Sequence, residues 1–346
     1  MIDFIKSLLQ TVQPPLSSAW LAAVCCLFLA ACATVTPPTL PTLPPSIPPP
    51  PSLAGWVPLV DAARQFQACA ADWRVSSTGA TLKTPHHTIG FFTNSRRLEI
   101  DGVCAWLNAP LTAHPAGSDC FYLSPPDVRD LVALHTPPET RLPQTAHRRF
   151  LTVMLDPGHG GDDTGAVGAG TRRQEKELVL DLARRTAAAL ATAPVQVLFS
   201  RSDDLTLPLD LRVTHAANAP ADCLVSIHAN AAANVQAAGI ETYLVPAADW
   251  ASTGGGAAEA AVPGNRFDGA NFALAYAVHS RLAGLDRPDR GIKRARYHIL
   301  RNAPCPAILV EVGFLSNPDE ASQLDTDAHR QRLAEAIAAG IRAYAD

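Results

Sequence analysis

The sequence predicts an α/β fold: a twisted, mostly parallel sheet flanked by helices, preceded by a small α+β domain. Three observations carry this. From residue 150 onward, short apolar runs bounded by Gly, Pro and polar residues alternate with longer segments of helical periodicity. Two of those runs end in a histidine and another carries a glutamate, and open α/β sheets bind ligands at strand ends. Before residue 150 the strand-like pieces are shorter and joined by tight turns.

The 346 residues suffice for two domains and their linkers. With 28 basic against 32 acidic side chains there is no polyanion-binding character, which excludes nucleic acid as a partner class. Residues 1–32 form a targeting segment, since Ala19 to Ala33 is apolar throughout but too short for a transmembrane helix. It ends Leu29-Ala30-Ala31-Cys32, which resembles a bacterial lipobox and implies lipidation at Cys32; an ordinary signal peptide is the alternative. Ala33 is not the acidic residue that retains many lipoproteins at an inner membrane. The expected location is therefore the periplasm or cell envelope, lipid-anchored, with the outer membrane favoured. Residues 33–52 are proline-rich and should form a stiff extended tether of about 3.1 Å per residue.

Residues 53–136 hold short strands at Ala80–Lys83, Thr88–Phe92, Arg97–Ile100 and Cys104–Leu107, with a turn at Asp101-Gly102. Two parts look alike: Trp56-Val57-Pro58-Leu59 and Tyr122-Leu123-Ser124-Pro125 each lead a strand through proline into a helix. The arrangement resembles the small stalk domain of copper amine oxidases, which implies a binding or spacing module. His86-His87 reads as solvated surface and not as a copper site. Cys69, Cys104 and Cys120 permit one disulfide without assigning its partners. Residues 137–149, with Pro137, Pro138 and Pro143, form a linker.

The C-terminal part spans residues 150–346. A strand ending at Leu155-Asp156-Pro157 opens into Gly158-His159-Gly160-Gly161-Asp162-Asp163, where one histidine stands among residues with almost no side chains. That stretch alone fits an ordinary strand-to-helix loop equally well. Gln174-Glu175-Lys176-Glu177 opens an amphipathic helix running to about Leu190, followed by a strand Val195–Phe199 and a helix Leu211–Ala217. Cys223–Asn230 is an apolar strand carrying His228, flanked by Ser226 and Asn230. A strand Ile240–Val245 precedes a Gly- and Ala-rich stretch, Ala247–Asp268, expected to be a flexible loop at the site rim. Helix Asn271–Leu285, strand Ala307–Phe314 and helix Asp327–Tyr344 complete the order. Glu311 lies deep in the last strand, where an unpaired carboxylate costs several kcal/mol unless a metal or a proton resolves it. Two histidines and a glutamate are the ligand set of a catalytic zinc site with an open fourth position.

These stretches, together with Ser200–Asp204, Gly239–Tyr243, Arg290–Lys293 and Val310–Asn317, resemble the zinc-dependent N-acetylmuramoyl-L-alanine amidases of bacterial cell-wall autolysins. The resemblance runs from Phe150 to the C-terminus. It implies Zn2+ on His159, Glu175 and His228, choosing Glu175 over Glu177 because Lys176 follows it. It also implies Glu311 as the acid–base residue and peptidoglycan as the partner, cut between N-acetylmuramic acid and L-alanine. Asn230 and Arg201 are candidate substrate contacts, although Arg201 also suits a structural pairing. An activator protein is a further candidate partner, because in some relatives an insertion at the position of 247–268 plugs the site. The competing readings are a non-catalytic wall-binding protein and a zinc peptidase acting on the stem peptide.

Overall fold

The computed structural model describes residues 43–68, 72–137 and 151–346, all within one compact unit, Leu43–Asp346. The targeting segment with Cys32, the start of the proline run, Cys69 and most of the expected linker lie outside the described residues.

In chain order, β1 (Val57–Pro58) leads into α1 (Leu59–Gln65), and five strands follow: β2 (Arg74–Ser76), β3 (Gly79–Lys83), β4 (Thr88–Phe92), β5 (Arg97–Ile100) and β6 (Val103–Trp106). Then come β7 (Thr112–Ala113), β8 (Phe121–Leu123) and α2 (Pro125–Leu134). The catalytic part supplies β9 (Leu151–Pro157), α3 (Glu175–Leu190), β10 (Val195–Phe199), α4 (Leu209–Asn218), β11 (Cys223–Asn230) and β12 (Ile240–Leu244). It closes with α5 (Asp268–Ala283), β13 (Asp289–Arg294), α6 (His298–Arg301), β14 (Ala307–Phe314), α7 (Pro318–Leu324) and α8 (Asp327–Ala345).

One sheet runs through both parts in the order β10-β9-β11-β14-β12-β13-β6-β5-β4-β3-β2. Strands β10, β9, β11 and β14 are mutually parallel. β12 then runs antiparallel to β14, and β13 parallel to β12. The expected mostly parallel sheet is therefore corrected to a mixed one. The physical reason is that β12 enters from the chain reversal after β11 without a helical crossover, and a direct return gives antiparallel pairing. The small domain adds β6 to the edge of β13 through Ile292 and Ala105, and β6 to β2 continue as an antiparallel meander. The two look-alike segments meet: β1 pairs β8, with Val57 opposite Leu123.

The sheet alternates its side chains between two faces. One face of β9, β11 and β14 (Val153, Val225, Ile308, Val310) packs on Leu178 and Leu182 of α3, Phe272 and Val278 of α5, and Leu333 and Ile337 of α8. On the other face, Met154, Leu224 and Leu309 pack on Ala216 of α4 and on Ile299 and Leu300 of α6. The apolar stripes expected on α3 and α8 are the faces that are buried here.

The small domain is joined to the rest by buried polar groups as well as by the sheet. Arg294 of β13 donates to Asp130 of α2 at 2.8 Å and to the Trp106 carbonyl at 3.1 Å. Both members of that ion pair are buried, and burial pushes the Asp130 carboxyl up to about 6 even against the charges of Arg294 and Arg129. Asn108 accepts from the Ala247 amide at 3.1 Å. The stretch 247–268 is not the free loop expected. Arg96 donates to the carbonyls of Ser252 and Ala251, Arg296 donates to that of Trp250, and Trp250 meets Trp56 edge-on.

Two further expectations are modified. From Leu43 the proline run lies against the small domain instead of standing free: Arg64 donates to the Pro44 carbonyl at 2.8 Å and Ser46 to Asp61. His86 is exposed as expected, but His87 is partly buried: its ring meets His135 and Tyr276 of α5 edge-on, and its Nδ1 lies 2.7 Å from Asp101 Oδ2. Cys104 and Cys120 carry free thiols.

Candidate metal centre

β9 stops at Pro157, and the chain turns so sharply that His159 takes the left-handed φ of 58°. Such backbone is rare for a residue with a Cβ and persists only where the surroundings hold it. Two buried arginines do so. Arg212 of α4 donates to Asp156 Oδ1 at 2.8 Å, to the Pro157 carbonyl at 2.7 Å and to the His159 carbonyl at 2.6 Å. Arg201 donates to the carbonyls of Pro157, Gly158, Lys176 and Asp203 at 2.7–3.1 Å. Its guanidinium is thus taken up by the loop and is not free for a ligand. Lys176 completes the frame, reaching the Gly161 carbonyl at 2.7 Å and Asp204 at 2.8 Å.

Glycines give the site its closeness. A Cβ on Gly158 would lie 2.1 Å from Cε1 of His228, and one on Gly165 would lie 2.5 Å from Oε2 of Glu175. Glu175 begins α3, buried, where the helix N-terminus favours an anion. Its Oε1 stands 3.1 Å from Nε2 of His159 and 3.0 Å from Nδ1 of His228, and its Oε2 accepts from the Ala166 amide at 2.8 Å. The two imidazoles meet at 5.0 Å between ring centres. One donor atom from each of His159, Glu175 and His228 lies within 4.8 Å of the others. Nδ1 of His159 is 2.8 Å from Asp163 Oδ2, which fixes that ring and turns Nε2 to the centre. Among the described residues this is the group of three or more such side chains able to hold a metal ion.

The charges agree with that reading. Burial alone would raise the Glu175 carboxyl, but the hydrogen bonds and charges of the two histidines hold it well below the usual range. The site thus gathers one carboxylate and two imidazoles at one point, the residue types that bind a divalent cation.

Glu311 sits opposite His228 in the parallel β11–β14 pair and opposite Glu241 in the antiparallel β14–β12 pair. It is buried, and its Oε2 has no hydrogen-bond partner. Burial, followed by the charges of Glu175 and Glu241, pushes its pKa far up. Glu241 is its opposite. Burial opposes ionisation there too, but Arg290, Lys293 at 2.7 Å and the Tyr243 hydroxyl hold it as an anion. Arg290 in turn lies over the Phe314 ring at 4.9 Å.

A cleft of about 370 Å³ adjoins the centre, lined by His159, His228, Arg212, Leu209, Tyr297 and Leu309 among others. Asn230 donates to Glu241 at 3.3 Å and lies beside the centre, past a register shift in β11. Ser226 is fully buried and donates to Asp156 at 2.8 Å, so it supports the strand end.

Sequence reasoning gave no role to Asp156, Asp163 or Glu241. An acid inside an apolar strand singled out Glu311, and the same signal was present at Glu241. Asp163, four residues after His159 in a glycine-rich loop, carried a weaker one.

The family profile of N-acetylmuramoyl-L-alanine amidase matches residues 153–343. The chain is similar to N-acetylmuramoyl-L-alanine amidase LytC of Bacillus subtilis, 34% identical over 195 residues, covering 56% of this chain and 35% of that protein. It is similar to N-acetylmuramoyl-L-alanine amidase AmiC of Escherichia coli O6:H1, 32% identical over 222 residues, covering 57% of this chain and 53% of that protein. The match therefore spans about a third to a half of the length of these two relatives. A solved structure, that of N-acetylmuramoyl-L-alanine amidase from Clostridium difficile 630, is 36% identical and covers 57% of this chain and 97% of that one, with a TM-score of 0.49.

Proposed function

The chain belongs to the N-acetylmuramoyl-L-alanine amidase family, and from that premise we propose that it is a peptidoglycan hydrolase. The bond it cuts joins the lactyl carbonyl of N-acetylmuramic acid to the nitrogen of the first L-alanine of the stem peptide. The observation that carries this reading is the meeting of His159, Glu175 and His228, whose donor atoms lie within 4.8 Å of one another although the residues are far apart in sequence.

Two imidazoles and one carboxylate suit Zn2+, which when bound there would supply Lewis-acid polarisation of the amide carbonyl and acidify a water molecule. The chain's own groups do the rest. Asp163 holds the His159 ring, and Arg212 and Arg201 hold the loop that carries it. Glu311 Oε2, buried and without a partner, takes the proton released as water adds to the carbonyl carbon. It passes that proton to the nitrogen as the C–N bond breaks, leaving a carboxylic acid on the sugar and a free amine on the peptide, which at neutral pH become carboxylate and ammonium. A carboxyl whose proton affinity is raised by burial is suited to holding a proton between those two steps.

The small domain is a wall-binding or spacing module related to the copper amine oxidase stalk, a reading supported by its two strand–proline–helix units and the pairing of their strands. Lipidation at Cys32 would tether the enzyme to a membrane facing the wall, a reading supported by Leu29-Ala30-Ala31 before it.

The deciding experiment is mass spectrometry of purified peptidoglycan digested by the zinc-loaded full chain. Release of intact stem peptides with a free N-terminal L-alanine supports the proposal. Shortened stem peptides would assign a peptidase instead, and binding without any product would assign a wall-binding protein.

A further inference from the structure

The face of the sheet that carries Glu311 does not end with the catalytic part. Glu311 is opposite Glu241, and Tyr243, two residues along β12, is opposite Lys293 of β13. The face crosses into the small domain at Gly291, where a Cβ would lie 3.2 Å from the indole nitrogen of Trp106. From there the register is unbroken: Trp106 opposite Arg97, Glu99 opposite Gly90, and Gly90 opposite Thr81. The alternate residues of these strands (Leu82, Ile89, Phe91, Leu98, Ile100, Ala105) all enter the main core, so this row is the outer face.

Three features of that face are unexplained by folding. Gly90 sits mid-strand in β4, where glycine weakens a sheet. Its φ is not in the left-handed region, and a Cβ there would meet nothing nearer than 4.0 Å, so neither backbone nor packing requires glycine. The Trp106 indole N–H is buried and has no hydrogen-bond partner. Phe92 is 38% exposed, with the Arg97 guanidinium over its ring at 5.4 Å. The face ends at β2 in a shallow depression of about 260 Å³ lined in part by Arg74, Thr81 and Phe92.

We propose that this outer face of β2–β6 binds the glycan strand of the same polymer whose stem peptide is cut at the metal centre. The inference rests on the amidase reading above and deepens it. A mid-strand glycine with no internal reason leaves a flat path, and aromatic rings on either side of it stack on the apolar faces of sugar rings. Arg97 and Glu99 neutralise each other, and Thr81 offers a hydroxyl, so the chemistry suits a neutral polyhydroxylated chain and not a polyanion. From β14 to β4 are five strand steps, about 24 Å, so the platform reaches sugars well beyond the one being processed.

The test uses the zinc-loaded full chain and the Gly90→Gln variant, which raises a side chain in the middle of the path where there is room for it. Phe92→Ala is the second variant, since its ring is partly exposed and its loss leaves the core intact. Two substrates are compared: purified peptidoglycan sacculi, and a soluble fragment of one N-acetylmuramic acid with its stem peptide. Co-sedimentation with insoluble chitin, a neutral N-acetylglucosamine glycan, is measured alongside. Both variants should raise KM on sacculi and weaken co-sedimentation about tenfold, with kcat and KM on the short fragment unchanged. Variants indistinguishable from the parent on sacculi and glycan, or equally impaired on both substrates, overturn the platform. A parent protein that binds glycan but releases no stem peptide would sink the amidase reading and leave the platform standing.

Discussion

His228 and Glu311 are direct partners across the parallel β11–β14 pair, so one strand end delivers an imidazole to the metal centre and its neighbour delivers a carboxyl with a free oxygen beside it. The sheet register alone sets their spacing, and no loop has to move to bring them together.

Glu311→Gln keeps the shape and removes the proton carrier. Release of stem peptides should fall by about a hundred- to ten-thousand-fold, the usual loss for a general acid–base group. Metal content per chain should stay at the parent's value. Undiminished turnover in this variant would remove Glu311 from the chemistry.

His159→Ala and Glu175→Gln each delete a ligand, and zinc bound per chain should drop from about one to near none. Binding to the native state alone stabilises it by about 2.7 kcal/mol at a hundredfold excess over Kd, so chelation should lower the Tm of the parent. The same chelator should leave the Tm of the His159→Ala variant where it was. A chelator shift of equal size in both proteins would place the metal elsewhere.

Asp156→Asn breaks a pair buried on both sides, leaving the Arg212 charge beneath the His159 loop. Burial opposes ionisation of Asp156, but Arg212 and the hydrogen bonds from Ser200 and Ser226 hold the carboxyl below its usual range. Removing one partner of such a pair costs about 3–5 kcal/mol, readable as a shifted urea midpoint. A change under about 1 kcal/mol would show that Asp156 does not hold the strand end.

His329 of α8 is kept neutral: burial, then Arg287 and Arg332, bring its pKa down to about 4. In the unfolded chain an imidazole titrates near 6.5. Between those values the unfolded state binds a proton that the folded state refuses, so this contribution is complete above about pH 6.5 and is lost as pH falls toward 4. Urea midpoints measured from pH 7 to pH 4.5 should fall more steeply for the parent than for His329→Gln. Parallel slopes in the two proteins would exclude this group.

His159, His228 and Glu311 were legible because each breaks a local rule: a histidine in a glycine turn, a histidine ending an apolar strand, an acid within one; Glu175, an ordinary acid in the first turn of a helix, was singled out only by the family resemblance. The elements themselves were legible for the same kind of reason, since β10, β11 and β14 are bounded by abrupt changes in polarity. What could not be read was pairing. The reversal of β12 and the joining of β6 to β13 depend on pairings between residues far apart in the chain, Glu241 with Glu311 and Ala105 with Ile292, and no local pattern encodes them. Arg201 kept two readings, substrate contact and structural pairing, for a similar reason: a guanidinium in sequence looks the same whether it meets a ligand or four backbone carbonyls.

The ion pair between Arg294 and Asp130 has a practical side. A fragment cut to begin at Leu151 would keep the arginine and lose the aspartate, stranding a positive charge in the pit that α2 used to roof. The same cut would bare the flank of β13 and the greasy back of α5, two sticky surfaces side by side. Whoever wants the hydrolytic half on its own should expect inclusion bodies, and would do better to keep the whole compact unit from Leu43 onward.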